Sequence, residues 1–428
     1  MKNRAHVNFY DTILKPDPSR TVVRPFEPGY PKGFDQGTTR TQETVELIRR
    51  LDKNELRRQL TGVTASLDEN HRDVDATLMR RFEEVKDRIS EASSLSTEQR
   101  RLVGAYFSQE YAYEAAALFN PSAVPHPDQT GLGEGAIRFI LALRGVGEGH
   151  VSSVTFRTGV WTPNGDLTID DPGSTSVPPI IVGQDDEDGT VHLNCGGSRS
   201  ISETVLFPTL PSQRQGIEDM RLVRFTDDDG RVTYHGTYTA FSGAEARSEL
   251  LTTDDFKSFD MRALTGEVAS AKGMALFPRR IDGRYVTLGR QDNRTIWLNV
   301  SEDLLHWNSG ARVIEPRYPW EFVQMGNCGS PIEIDEGWLV LTHGVGTIRN
   351  YCIGACLLDK QDPSKLLART PRPVLAPSPH ERDGYVPNVV YSCGGLLGGR
   401  TLLLPYAVAD SFSAFGYVSV DNLLTCME

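Results

Sequence analysis

The stretch Thr253-Asp254-Asp255-Phe256-Lys257-Ser258-Phe259 returns as Ser301-Glu302-Asp303-Leu304-Leu305-His306-Trp307, the two copies beginning 48 residues apart. Both read hydroxyl, acid, acid, apolar, two variable positions, aromatic, and Ser419-Val420-Asp421-Asn422-Leu423 is a weaker third copy. A period of about 50 residues built from short β-runs points to a stacked repeat, because one such unit cannot bury both of its faces alone.

Working outward, five β-runs open on a polar residue and then turn apolar. They are FNPSAV from Phe119, EDMRLVRF from Glu218, KGMALFP from Lys272, GNCGSPIEI from Gly326 and VPNVVY from Val386, with polar heads Asn120, Asp219, Lys272, Asn327 and Asn388. Each is followed by a second apolar run with a polar or aromatic end, at Arg144, Thr239, Arg290, His343 and Tyr406. Five such pairs predict an all-β catalytic domain over 111–428, a five-bladed β-propeller whose polar heads converge on the axis around one ligand.

Residues 1–40, rich in Pro, Gly and charge, read as an irregular arm. Residues 41–110 read as a helical extension, since Val74, Leu78, Phe82, Val85 and Ile89 recur at helical spacing. A shorter helix precedes it (Val45, Ile48, Leu51), and another starts at a Ser96 cap, with Leu102, Val103 and Tyr106 on its apolar face. Such faces pack on the main domain or on a second copy, so a homo-oligomer formed through the extension is expected.

With 428 residues and 39% hydrophobic content the chain can build a sizeable core. A net charge of -12 argues against nucleic acid or an anionic membrane as partner. There is no long apolar run and no signal-like start, so a cytoplasmic location is expected. The six scattered cysteines suggest reduced thiols, and without CxxC or HExxH spacing no metal site is predicted.

The heads and strand ends bring together Asp219, Arg221, Lys272, Arg290, Asp292 and His343, with Arg144, Glu148 and His150 from the first unit. A polyol substrate needs many hydrogen-bonding partners, a carboxyl that donates a proton and a second group that activates the nucleophile. Asn120, Asn327 and Asn388 add amides, and Trp161, Trp320 and Tyr385 could stack on sugar rings. No GxSxG elbow is present. The glycines at 145, 147 and 149 lack a following GK[ST], so that segment reads as a turn bringing Glu148 and His150 to the ligand.

As an ordered set, Phe119-Asn120-Pro121, Glu218-Asp219-Met220-Arg221, Lys272 through Phe277-Pro278, Gly337-Trp338-Leu339 leading to His343-Gly344-Val345, and Val386-Pro387-Asn388-Val389-Val390 resemble glycoside hydrolase family 130 over about residues 115 to 428. The resemblance implies a five-bladed propeller, inversion at the anomeric carbon, a mannose-containing oligosaccharide as substrate and no cofactor. It implies Asp219 as the proton donor, acting through a sugar hydroxyl. In the family's phosphorylases it implies Lys272, Arg290 and His343 as ligands of inorganic phosphate, the co-substrate. Three positions depart from the phosphorylase pattern: Thr342 where a tyrosine often precedes the HG pair, Gln324 where a lysine is expected, and Tyr385 where some members are acidic. These departures favour a β-mannosidase that activates water with a carboxylate, Glu148, Glu218 or Glu381. The alternatives are a β-mannoside phosphorylase releasing mannose 1-phosphate and a non-catalytic sugar-binding propeller.

Overall fold

The computed structural model describes residues 5–31, 38–187, 189–270, 272–378 and 384–428, which fall into two compact units. One consists of Pro18–Tyr113 with Ser174–Val177 and the other of Met1–Asp17, Glu114–Gly173 and Pro178–Glu428.

The smaller unit is built from helices α1 (Arg40–Arg49), α2 (Lys53–Leu67), α3 (Val74–Val85) and α4 (Thr97–Tyr106), with strand Thr21–Pro25 paired antiparallel to Ser108–Ala112. Ser96 caps α4 through a reciprocal box with Gln99, so two otherwise orphaned backbone N–H groups are satisfied at once. Val45, Phe82, Val85 and Leu102 share one apolar core. Helix α3 ends at Val85, short of the expected span. A 3₁₀ turn over Lys86–Arg88 follows, and Ile89 is extended yet still buried. Helix α2 was not legible in the sequence because it buries only Leu56 and Leu60 over 15 residues. Tyr106, expected on the apolar face of α4, is 47% exposed.

The larger unit is a succession of antiparallel meanders. The first runs Ala117–Pro125, Ile137–Val146, Ser152–Trp161, and the second Gly216–Thr226, Val232–Phe241, Ala246–Thr253, Ser258–Ala263. The third runs Lys272–Leu276, Tyr285–Arg290, Ile296–Ser301, Gly310–Ile314, and the fourth Gln324–Asn327, Gly337–Val345, Tyr351–Leu358, Leu366–Arg369. The fifth runs Val390–Tyr391, Thr401–Val408, Phe412–Ser419, and its outer strand is Asn8–Leu14 from the other end of the chain. Gly337–Val345 and Thr401–Val408 are buried at every position, which is why these strands read as continuous apolar runs rather than as alternating ones.

Residues 1–40, expected to be irregular, thus carry two strands, Asn8–Leu14 and Thr21–Pro25. Asn8–Leu14 alternates between exposed and half-buried positions, as an edge strand with one covered face does.

The repeat that opened the reading is turn chemistry. Thr253 Oγ1 accepts from Phe256 N at 2.9 Å and Asp255 Oδ1 from Ser258 N at 2.7 Å, turning the chain from third strand to fourth. Ser301 and Asp303 repeat this, accepting from Asp303 N and Leu305 N. In the weaker copy Ser419 instead caps the helix Val420–Cys426. No turn is needed there, because the fourth strand of that meander comes from residues 8–14.

Hydrogen bonds link the meanders in order. They join Leu222 N to Ser122 Oγ (3.0 Å), Thr226 N to Pro278 O (2.9 Å), Met325 N to Arg294 O (3.0 Å) and Tyr351 N to Asn388 O (2.9 Å). Cys393 N to Pro121 O (2.8 Å) then returns from the fifth meander to the first. Among the described residues no helix is long and apolar enough to cross a membrane, and all six cysteines are buried and outside any disulfide.

Gly104 supplies a test of the helical packing. A Cβ there would sit on the backbone carbonyl of Leu78, whereas one at Gly62 meets nothing. Gly104→Ala is expected to destabilise the smaller unit by about 1–3 kcal/mol. Gly62→Ala should instead stabilise it by up to about 1 kcal/mol. Denaturant unfolding of the full chain, followed by helical circular dichroism, checks both signs.

Candidate active site

A regular strand sends successive side chains to opposite faces, yet Glu218 and Asp219 both reach Arg144. They can do so because the register slips between Glu218 and Arg221, and Asp219 takes a left-handed conformation with φ 51°. The same slip occurs between Phe119 and Ser122 around Asn120 (φ 51°), and between Lys272 and Ala275 around Gly273 (φ 85°). Asn, Asp and Gly are the residues that accept this geometry at least cost. The polar heads of the first three meanders therefore turn out of their strands at one common point.

These heads meet the ends of the second strands and the turns that follow them in a cavity of about 470 Å³. Asn120, Arg144, Asp219, Lys272 and Arg290 line it, as do the turn residues Asn293, Arg349 and Asp410 and the tyrosines Tyr351, Tyr385 and Tyr391. Asn120 Nδ2 donates to Asp219 Oδ1 at 2.7 Å. Arg144 donates to Asp219 Oδ1 at 3.3 Å and to Glu218 Oε1 at 2.8 Å, and Lys272 Nζ lies 3.5 Å from Glu218 Oε2.

Other expected site residues stand beside the cavity rather than on its wall. Arg221 is 3% exposed and spends its donors on the Asp219 carbonyl (3.1 Å) and the Tyr391 hydroxyl (2.9 Å), so it positions rather than grips. Asn327 is buried and donates to Gly273 O at 3.0 Å, supporting the third slip. The carbonyl of Asn388 (φ 64°) accepts from Tyr351 N. Asp292 caps its own turn, accepting from Arg294 N and Thr295 N, with Arg312 at 3.3 Å. Burial raises its carboxyl, but the Thr295 and Arg294 donors outweigh this and hold it at about 2.

Glu148 and His150 are exposed, and His150 touches the wall residue Tyr385, with ring centroids 5.2 Å apart. Glu381 lies outside the described residues. Trp161 is fully buried and bonded to Tyr10, and Trp320 packs against Gly344 and Gly354 with its Nε1 on Pro371 O, so neither lines the cavity. Asn293, Arg349, Tyr351, Tyr391 and Asp410 were missed. The signal that could have found three of them is positional: Asn293, Arg349 and Asp410 stand in the turn between second and third strands, at positive φ.

Burial raises the Asp219 carboxyl, but the Arg144 and Arg221 guanidiniums, the Asn120 amide and Lys272 outweigh it and hold the group below the usual carboxylate range. An ionised Asp219 accepts hydrogen bonds, and it can donate one only after taking up a proton. For Asp410 the balance is reversed. Burial and then the Asp219 charge raise it to about 6, against Arg144 and Arg349. His343 is 1% exposed, and burial, with Arg290 and Arg221 nearby, drives its pKa well below the ordinary value. It is therefore neutral and adds no charge for an anion. Its Nε2 accepts from Arg290 Nη1 at 3.0 Å, because a guanidinium can only donate.

A family model described as beta-1,4-mannooligosaccharide phosphorylase, of the glycoside hydrolase 130 type, matches residues 193–428. The Beta-1,2-mannobiose phosphorylase of Listeria innocua serovar 6a is 33% identical over 234 residues, 52% of this chain and 63% of the relative, so the match spans less than two thirds of that protein. The 1,2-beta-oligomannan phosphorylase of a Thermoanaerobacter species is 32% identical over 216 residues, 49% of this chain and 71% of the relative. Among solved structures, the Listeria innocua phosphorylase in complex with beta-1,2-mannobiose has a TM-score of 0.52 at 25% identity, covering 72% of this chain and 91% of that one. A structure from work on GH130 glycoside hydrolases that target beta-1,2 mannosidic linkages in Candida mannan has a TM-score of 0.53 at 19% identity, covering 73% and 87%, and shows the fold alone.

The state of His343 can be observed directly. Histidine NMR at pH 6 should show its ring uncharged with the proton on Nδ1, and a ring titrating near 6.5 would contradict the burial argument.

Proposed function

This chain belongs to glycoside hydrolase family 130, and on that premise we propose that it is a β-mannoside phosphorylase, inverting at the anomeric carbon, built on a five-bladed propeller. The cyclic order of hydrogen bonds from meander to meander supports ring closure, with Asn8–Leu14 completing the fifth blade.

One observation carries the choice of phosphate over water. Among the described residues, Arg290 and Arg349 line the cavity with no carboxylate within ion-pair distance, while Lys272 shares Glu218 with Arg144. Guanidiniums on a cavity wall with no direct carboxylate contact suit a small polyanion, which they bind through charge-assisted hydrogen bonds. The hydrolytic reading has weaker support: Glu218 is engaged by two cations, and Glu148 does not line the cavity.

In this reading the mannose ring occupies the end of the cavity at Asn120, Arg144 and Asp219. Both bonds to Asp219 fall on Oδ1, so Oδ2 is the atom left for a sugar hydroxyl. Phosphate sits against Lys272, Arg290 and Arg349, with neutral His343 fixing Arg290 from behind. Attack by a phosphate oxygen on the face of C1 opposite the leaving oxygen gives mannose 1-phosphate with inverted configuration. The printed names of the relatives support β-1,2- or β-1,4-linked mannosides as substrates.

The test is product analysis on β-1,2- and β-1,4-mannobiose with and without inorganic phosphate. Mannose 1-phosphate that forms only when phosphate is added is expected, and free mannose at the same rate without phosphate would establish hydrolysis instead. Arg290→Ala should raise the KM for phosphate by about 10- to 100-fold, the loss of one hydrogen bond to a charged group.

A further inference from the structure

We propose that the hydroxyl of Tyr391 donates a hydrogen bond to one mannose hydroxyl beside Asp219, which makes Tyr391 a specificity-determining residue of the cavity. The assignment rests on the mannoside reading above. Asn388 turns the head of the fifth meander at φ 64°, and the chain then runs extended into Val390–Tyr391. Val389 and Tyr391, two positions apart, share the face that lines the cavity. Tyr391 is 8% exposed, its backbone is paired with Ala407, and its ring lies 4.9 Å from that of His343 between centroids. The side chain is therefore fixed before any sugar arrives.

The roles at its oxygen follow from the partner. Arg221 Nη2 lies 2.9 Å from the Tyr391 hydroxyl, and a guanidinium can only donate, so the hydroxyl oxygen accepts. Its own hydrogen is left over, and no hydrogen bond among the described residues takes it up. A buried donor without an acceptor is costly, so a ligand atom that accepts it is favoured. Arg221 also holds the Asp219 carbonyl through Nη1 at 3.1 Å, so one guanidinium ties the hydroxyl to the backbone of Asp219. Two acceptors stand open in the same part of the cavity. Asn120 spends its Nδ2 on Asp219 and keeps a buried Oδ1 with no partner, and both bonds to the Asp219 carboxylate fall on Oδ1, leaving Oδ2.

One donor and two acceptors around one spot match a sugar hydroxyl, which accepts and donates at once. Its oxygen takes the Tyr391 hydrogen while its own hydrogen goes to Asp219 Oδ2 or Asn120 Oδ1. A deoxy position there leaves Tyr391 unpaired again. Tyr391 keeps its proton throughout, so no bond forms or breaks at its oxygen.

The experiment measures, by titration calorimetry, the binding of methyl β-mannoside and its 2-, 3-, 4- and 6-monodeoxy analogues to full-length wild type and to Tyr391→Phe. Loss of the recognised hydroxyl should weaken binding to wild type by about 5- to 100-fold. The variant should bind methyl β-mannoside more weakly than wild type does, and in it the penalty at that one position should shrink by about fivefold or more, with the other three unchanged. Each penalty is a ratio within one protein, so a lower folded fraction in the variant cancels. Equal penalties in both proteins at all four positions would reduce Tyr391 to a prop for Arg221 and overturn the proposal. So would a wild-type series in which no single hydroxyl is worth fivefold. Failure of wild type to bind any of the five glycosides would instead sink the mannoside reading itself.

Discussion

A strand that alternates its side chains cannot aim two neighbours at one partner, and the cavity exists because three innermost strands break that rule at the same point. The slip at Asp219 lets Glu218 and Asp219 share Arg144. The slip at Asn120 brings its amide to Asp219. The slip at Gly273 exposes a carbonyl that Asn327 of the next meander takes up. Each needs a residue that tolerates positive φ, so replacing Asn120 or Asp219 by a β-branched residue would strain the backbone as well as remove the polar group.

Electrostatics then divides the roles among groups of similar type. Arg221, almost fully buried, is tolerable there because a carbonyl and a hydroxyl take up its two terminal nitrogens and the nearby Asp219 charge offsets its own. Asp219 is ionised because attraction and direct donors outweigh burial, and Asp410 is raised because they do not. His343 loses its charge to burial and becomes an acceptor that orients Arg290. The ordering of these groups follows from who donates to whom, and chemical type alone would have grouped them differently.

That is also where the sequence stopped being readable. Asn120, Arg144, Asp219, Lys272 and Arg290 were legible because a polar residue at the edge of an apolar run stands out, and all five line the cavity. Arg221, Asn327 and His343 look alike in the sequence but sit behind the wall, since burial leaves no mark on a single polar letter. Trp161 and Trp320 show the same limit for aromatics. The strand Asn8–Leu14 was hidden because its partner, Phe412–Ser419, lies at the far end of the chain, and pairing over that separation has no local signature. Helix α2 was hidden by its polar surface, and Asp410 by an ordinary turn composition, Ala409-Asp410-Ser411.

The turns explain how one repeated backbone carries unlike chemistry. Gly149-His150, Asn293, Ile348-Arg349 and Ala409-Asp410 occupy the same link between second and third strands, and all adopt positive φ. Ile348 holds φ 56° although it is β-branched and 86% exposed, so no burial of its own offsets the strain. The neighbouring Arg349, at φ 53°, reaches the cavity wall, which gives that strain a purpose. Because the backbone of each turn is set by its flanking strands, its side chain can be exchanged without repacking a sheet. A guanidinium in the fourth meander and a carboxyl in the fifth thereby reach the wall of one cavity.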